Sequence, residues 1–384
     1  MVLENCSLCN NIFLVKIMSL KFEIEKKVGK SRLGRIITKS GVIETPNFMP
    51  VGSKGAVKGI TTQLLKEAGA QIILCNTFHL HLRPGEKTIE KLGGLHQFTG
   101  WDGPILTDSG GFQAFSLSPL KKITEEGIQF ASPIDGQRIN LTPENAIKIQ
   151  EILDVDIAMV LDHLPSGNSS KKEQEIAVER TTRWAERCKN ALKKEKIALF
   201  GIVQGGIFED LREISASQLI NIGFDGYASG GFCVGEDKES FKRVACYTAD
   251  LLPQDKPRYL MGIGKPQDLV DGVLWGYDLF DCVLPTRNAR NGQLFTSSGK
   301  ITIKRAEYKE DVSPLDLDCR CYTCQNHSKG YLNHLFRVND PTYVLLVTIH
   351  NITFYLELMK KLRRAIEEGN IENIVKKIKE HYSD

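Results

Sequence analysis

Eight short apolar runs divide the chain: Asn47–Val51, Ile72–Asn76, Ile105–Asp108, Ile157–Asp162, Leu199–Gln204, Tyr227–Gly231, Tyr259–Ile263 and Leu279–Leu284. Most are continuous rather than alternating, which is how strands buried on both faces read. Amphipathic stretches separate many of them, over 171–195, 238–252 and 267–278. Thr142-Pro143 adds an N-cap and a first-turn proline ahead of Ile147, Ile149 and Ile152. A strand feeding a helix eight times over predicts an α/β fold, a (β/α)8 TIM-type barrel. The competing doubly wound sheet wants a glycine fingerprint after its first strand, and none follows Val51.

A bare barrel needs about 250 residues, and 384 are present, so the excess must decorate it. Residues 20–45 alternate as hairpins with turns at Gly29-Lys30 and Ser40-Gly41, which predicts an N-terminal antiparallel cap. Residues 128–141, turning at Asp135-Gly136, predict a hairpin inserted after the third strand. The expected organisation is a tail over 1–19, a barrel body with its cap over 20–290, a zinc-binding insertion over 291–350 and C-terminal helices over 351–384. Cys6 and Cys9 lie in the tail without a second pair nearby, so the tail is read as frayed, or as lying upstream of a start at Met18.

Composition excludes several classes. A quarter of the residues are charged and 41% are hydrophobic, unlike a disordered chain or a fibre. No eighteen-residue apolar run predicts a membrane span, and the first residues lack the basic leader of an export signal. The expected compartment is the reducing cytoplasm, where ten cysteines read as thiols or metal ligands. Net charge is only +3, but residues 287–384 hold sixteen lysines and arginines against twelve acids. That positive surplus alone reads as a solvated face.

Cys319, Cys321 and Cys324 place three thiols within six residues, in a stretch too short to form a helix. Zinc explains such a set most simply, as a closed structural site with four soft ligands. Spacing leaves the fourth ligand open among His327, His334 and His350. His350 is expected at the start of an amphipathic helix over 351–364.

Chemistry in such barrels gathers at the C-terminal ends of the strands. Those ends carry Asp108, Asp162 and Asp281, with Gln204-Gly205-Gly206, Gly230-Gly231 and Met261-Gly262 between them. Converging carboxylates can divide the work at a glycosidic carbon, one attacking and one moving the proton. Phe112 and Met261 suit the faces of a planar base, and Asp162 with Gln204 its amide edge.

These residues sit in long motifs. Thr107-Asp108-Ser109-Gly110-Gly111-Phe112-Gln113, the Gly201 to Gly206 run, Met261 to Pro266, Asp281 to Gly292 and the cysteine set with His350 occur in one order. From about Leu20 onward the chain resembles the bacterial-type tRNA-guanine transglycosylases. The resemblance implies exchange of the wobble guanine (position 34) in G-U-N anticodon tRNAs, those for aspartate, asparagine, histidine and tyrosine. The incoming base would be a 7-substituted 7-deazaguanine of the queuosine pathway. Asp281 would be the nucleophile of a covalent ribosyl-enzyme and Asp108 the general acid/base. Asp162, Gln204 and the Gly231 backbone would read the base between Phe112 and Met261. Lys265, Arg287 and Arg290 would hold the RNA. Zn2+ would bind Cys319, Cys321, Cys324 and His350, and the enzyme would be a homodimer with the metal region near the contact.

One departure bears on the substrate. The family usually continues Glu-Cys-Thr-Pro after the aspartate, whereas this chain reads Asp162-His163-Leu164-Pro165. Leu164 thus stands where a cysteine lines the base pocket, together with Cys233 and Val234. The first expectation is the intermediate preQ1, with direct use of the larger queuine as the second. A non-catalytic partner subunit would have lost the nucleophile, which is present. An archaeal-branch enzyme is expected to carry a further C-terminal RNA-binding module. A zinc barrel hydrolase would need histidines at the strand ends, where only His163 is offered.

Overall fold

The computed structural model describes residues 19–382, apart from 118–120, 167–168 and 233–234. The tail cysteines Cys6 and Cys9 and the pocket residues Cys233 and Val234 therefore lie outside the described residues. The eight apolar runs form eight parallel strands: β1 (Asn47–Gly52), β2 (Ile73–Cys75), β3 (Ile105–Thr107), β4 (Ile157–Met159), β5 (Ala198–Val203), β6 (Gly226–Ser229), β7 (Arg258–Leu260) and β8 (Leu279–Cys282). They close into a barrel in chain order, with β8 paired to β1 from Leu279 opposite Asn47. The expected (β/α)8 barrel is present. Every residue of β5 is buried, because its inner side chains fill the barrel while its outer ones meet the helix layer. Gly226 is required there, since a Cβ would lie 2.4 Å from the Phe200 ring.

Strands Lys21–Val28, Ser31–Thr38 and Gly41–Thr45 form the antiparallel cap. Two buried aspartates rivet it to the N-terminal end of the barrel. Asp278, just before β8, accepts the Arg32 guanidinium and the Arg258 amide. Asp156, just before β4, accepts from Thr38, the Ser40 amide and the Ile105 amide. A buried carboxylate is tolerated only with such partners. The expected hairpin after β3 is present as Ile128–Ala131 and Arg138–Leu141, with Lys121–Ile123 as a third strand.

Beyond β8 come the helix Leu284–Arg290, a hairpin of Gln293–Thr296 and Gly299–Thr302, and the helices Tyr322–Asn326, Lys329–Arg337, Pro341–Glu368 and Ile371–Tyr382. Two local expectations are corrected. The stretch around Cys324 does open a short helix, because the Cys321 sulfur accepts the Cys324 amide as an N-cap. The helix expected from Asn351 begins ten residues earlier, at Pro341, with Asp340 capping it. This long helix is apolar enough to cross a membrane by length and composition, but 67% of that window is buried within the protein. It lies across the β8–β1 seam, with the Tyr355 ring 4.9 Å from that of Phe48. Asn351 donates to the carbonyls of Pro285 and Gln293 and accepts the Phe295 amide, tying the appendage to the barrel.

Candidate active site

All three strand-end aspartates stand at the C-terminal mouth of the barrel. Asp281, near the end of β8, accepts the Tyr259 hydroxyl at 2.6 Å and the Gly262 amide at 2.8 Å, both on Oδ1. Burial raises its pKa above the ordinary carboxylate range, against the pull of these two donors. Asp108, following β3, accepts from the Asn76 side chain and, at 2.9 Å, from the Thr77 amide. Burial pushes its pKa up to about 6; Asn76, Thr77 and Gln113 oppose that rise, and the charge of Asp281 adds to it.

Asp162, past the end of β4, accepts the Gln204 amide nitrogen at 2.7 Å, and burial raises its pKa to about 6 as well. That bond fixes the orientation of Gln204 and leaves its Oε1 buried without a partner. Gly231, at φ +76°, packs so close that a Cβ would lie 2.5 Å from this oxygen and 3.5 Å from Leu164. Only glycine fits. A Cβ on Gly230 would lie 3.6 Å from the Met261 sulfur. Gln204, Gly230, Gly231, Leu164 and Met261 thus pack together beside Asp162. Phe112, on the helix Gly111–Leu117, is 48% exposed and free to stack.

The cations lie on the same side. Lys265 is exposed at the start of the helix Pro266–Leu274. Arg287 and Arg290 share the last turn of the helix that follows β8. Neither arginine forms an ion pair among the described residues, and Arg290 Nη1 is buried without a partner. Burial and then the neighbouring Arg287 lower the Arg290 pKa. His163 turns away from the mouth: its backbone amide donates to the Thr181 hydroxyl oxygen, and its Nδ1 lies 3.2 Å from the Arg180 guanidinium. Burial and that guanidinium push its pKa down to about 4, so the imidazole is neutral.

A second cluster stands apart from the barrel mouth. Cys319, Cys321, Cys324 and His350 bring one ligand atom each within 4.8 Å of one another. His350 is fully buried, and its Nε2 lies 2.8 Å from the Phe295 carbonyl. That oxygen can only accept, so Nε2 carries the proton and Nδ1 offers its lone pair. Nδ1 lies 3.3 Å from the Cys324 sulfur and 3.7 Å from that of Cys321. His327 and His334 are not in the cluster. The four groups could hold a metal ion.

Comparison with known proteins identifies the family. Residues 27–384 match the family model described as queuine tRNA-ribosyltransferase. Proteins of that name from Idiomarina loihiensis and Tolumonas auensis are 52% and 51% identical, over 94% and 93% of this chain and 96% of each of theirs. One from Vibrio cholerae is 52% identical over 93% of this chain and 95% of its own.

The chain belongs to the queuine tRNA-ribosyltransferase family. That family is one of tRNA-guanine transglycosylases, which are pentosyltransferases of queuosine synthesis, and membership makes the chain an enzyme of this class. Sequence reasoning missed four residues that hydrogen-bond to the strand-end aspartates and glycine turns: Asn76, Thr77, Tyr259 and Arg212. The strand-end rule could have found Asn76-Thr77, which close β2. Tyr259 and Arg212 gave no signal, because each reads as a core or surface residue until the fold brings it to the mouth.

Proposed function

We propose that this transglycosylase exchanges the wobble guanine of G-U-N anticodon tRNAs for a 7-substituted 7-deazaguanine through a covalent intermediate on Asp281. The observation that carries the reading is the pair Asp281 and Asp108 at one mouth, one anchored by two donors and the other held near pKa 6. Tyr259 and the Gly262 amide both bind Oδ1, which helps Asp281 stay ionised in a desolvated site. Oδ2 carries neither bond and is the attacking oxygen. It bonds to C1′ of the ribose as the C1′–N9 bond breaks, and guanine leaves with that electron pair and takes up the proton held by the Asp108 carboxyl, which is left ionised. The incoming base gives its N9 proton to Asp108. Its N9 lone pair then attacks C1′ and returns the bonding pair to Asp281. One N-glycosidic bond replaces another, so no nucleotide hydrolysis is needed.

A base stacked in an anticodon loop must be splayed out before C1′ is reachable, and a single-stranded loop makes that cheap. Phe112 and Met261 take its faces, while Asp162, Gln204 and the Gly231 amide take its edge. Lys265, Arg287 and Arg290 hold the neighbouring phosphates and nucleotides, consistent with two arginines left without ion pairs. Leu164, packed beside Gly231, is bulkier than a cysteine and narrows the pocket, which favours the small aminomethyl substituent of preQ1 over queuine.

The metal is zinc, in a structural role. Zinc bound to sulfur and nitrogen has a tetrahedral S···N edge of about 3.6 Å, and separations of 3.3 and 3.7 Å bracket it. With four protein ligands the ion has no open position, so it would stabilise the C-terminal appendage and take no part in the reaction. Val312 and Leu317, 90% and 84% exposed in that appendage, favour a homodimer contact there. The enzyme works in the cytoplasm, where its thiols stay reduced.

The decisive experiment combines trapping with exchange. Asp281→Asn should abolish the covalent enzyme–RNA adduct on denaturing gels while tRNA still binds in a shift assay. Undiminished adduct would remove Asp281 from its role. Exchange of labelled guanine in tRNA against preQ1 and queuine in parallel tests the base, and preference for queuine would overturn the preQ1 assignment.

A further inference from the structure

Arg212 stands in the opening turn of the helix Glu209–Ile222 and is fully buried. That is a poor place for a cation, because the helix dipole presents its positive end there and burial strips the guanidinium of water. What it touches is main chain. Nε donates to the Gly206 carbonyl at 2.9 Å, and Nη1 donates to the carbonyls of Val203 at 2.9 Å and Gly230 at 2.7 Å. The guanidinium carbon Cζ lies 4.3 Å from the centroid of the Phe232 ring. One side chain therefore joins the turn after β5 to the turn after β6.

Those turns are the ones that shape the base pocket. They read Gln204-Gly205-Gly206 and Gly230-Gly231, with φ of +134° at Gly205, +56° at Gly206 and +76° at Gly231. Glycine gives each turn its conformation but no side chain to hold it, so the shape must be fixed from outside. A Cβ on Gly205 would lie 2.8 Å from the Arg212 amide nitrogen, so the first turn rests directly on the start of the helix. The planar fork of arginine can serve several carbonyls at fixed angles, which an ammonium cannot.

We propose that Arg212 is a positioning residue for base recognition, clamping both glycine turns so that the Gln204 side chain and the Gly231 amide face the edge of the base. The assignment rests on the base pocket described under the proposed function. Arg212 touches no reacting atom; it acts through Gly206, Gly230 and Phe232.

The test uses the full-length enzyme. Arg212→Lys keeps the charge but loses the fork. It should raise the KM for free guanine about tenfold, the worth of one or two hydrogen bonds, with the KM for tRNA nearly unchanged. Discrimination between guanine and hypoxanthine should weaken in parallel. A merely structural role would lower the amount of active enzyme and leave both ratios alone. A folded lysine variant with unchanged guanine KM and unchanged discrimination overturns the proposal. Should that variant not fold, Phe232→Leu carries the test, since it removes only the ring beneath the guanidinium. It should raise the guanine KM with the tRNA KM unchanged, and an unaltered guanine KM there also overturns the clamp. Wild-type enzyme that exchanges no base at all would instead overturn the reading of the pocket, and the clamp with it.

Discussion

The Tyr259 hydroxyl donates to Asp281 Oδ1 at 2.6 Å, from one barrel strand to the next. A phenol in this position stabilises the ionised carboxylate that burial would otherwise discourage. Tyr259→Phe should therefore push the Asp281 pKa further up and slow adduct formation, by about tenfold if the bond contributes a little over 1 kcal/mol. Single-turnover trapping across pH would show the acid limb moving towards higher pH. A variant with the wild-type rate and profile would mean that the Gly262 amide alone suffices.

In the proposed mechanism Asp108, ionised once guanine has left, must accept the proton of the incoming base, and burial, with the nearby charge of Asp281, lifts its pKa to about 6. Exchange should thus fall as pH drops through that value, since a protonated Asp108 cannot act as base. Asp162, also near 6, loses its acceptor role over the same interval. Base-exchange rates at saturating tRNA would show the limb. A flat profile between about pH 5 and 7.5 would contradict the assignment. For stability the sign is opposite. Both pKa values are raised on folding, so ionising these groups as pH rises through about 6 withdraws stability that was present below the unfolded values.

Cys321 is buried beside His350 and caps the helix that carries Cys324. Cys321→Ser should lower both the zinc content and the yield of folded protein, because the closed site and the helix start are lost together. Metal analysis of the purified variant and its thermal midpoint are the measurements. A stable, zinc-loaded variant would sink the structural-metal reading.

At the far end of the barrel, His96 Nε2 lies 3.2 Å from the buried Asp156. Burial pulls the His96 pKa down, but the hydrogen bond and charge of Asp156 outweigh it and the net direction is up. Burial pushes Asp156 up, yet His96 and the Ile105 amide leave it below its ordinary value. The histidine's contribution is full below its unfolded pKa and is lost as pH rises through the folded one; the aspartate's is lost as pH falls. His96→Gln should therefore cost more in thermal midpoint at about pH 5.5 than at about pH 8. An equal cost at both would show that the pair does not titrate on unfolding.

Much of the barrel was legible in the chain because its strands are buried on both faces, so each reads as an apolar run within three residues of its true ends. The cap and the inserted hairpin were legible for a different reason: their turns need glycine at positive φ, and Gly29, Gly41 and Gly136 mark them. The start of the long helix was not. Position 350 looked like a boundary, whereas capping by Asp340 and packing of the helix across the β8–β1 seam set the start at Pro341.

The order of residues by itself determined the elements, the strand ends that carry Asp108, Asp162 and Asp281, and the three-thiol ligand run, since each depends on neighbours a few positions away. Spacing left the fourth ligand open and only the family resemblance named His350; the tertiary structure alone carried it to the thiols, turned His163 out of the mouth, and brought Tyr259 and Arg212 to it. Those outcomes depend on direction and distance between side chains far apart in the chain. Barrel closure and the desolvation it imposes fix both quantities, and neither is written in local spacing.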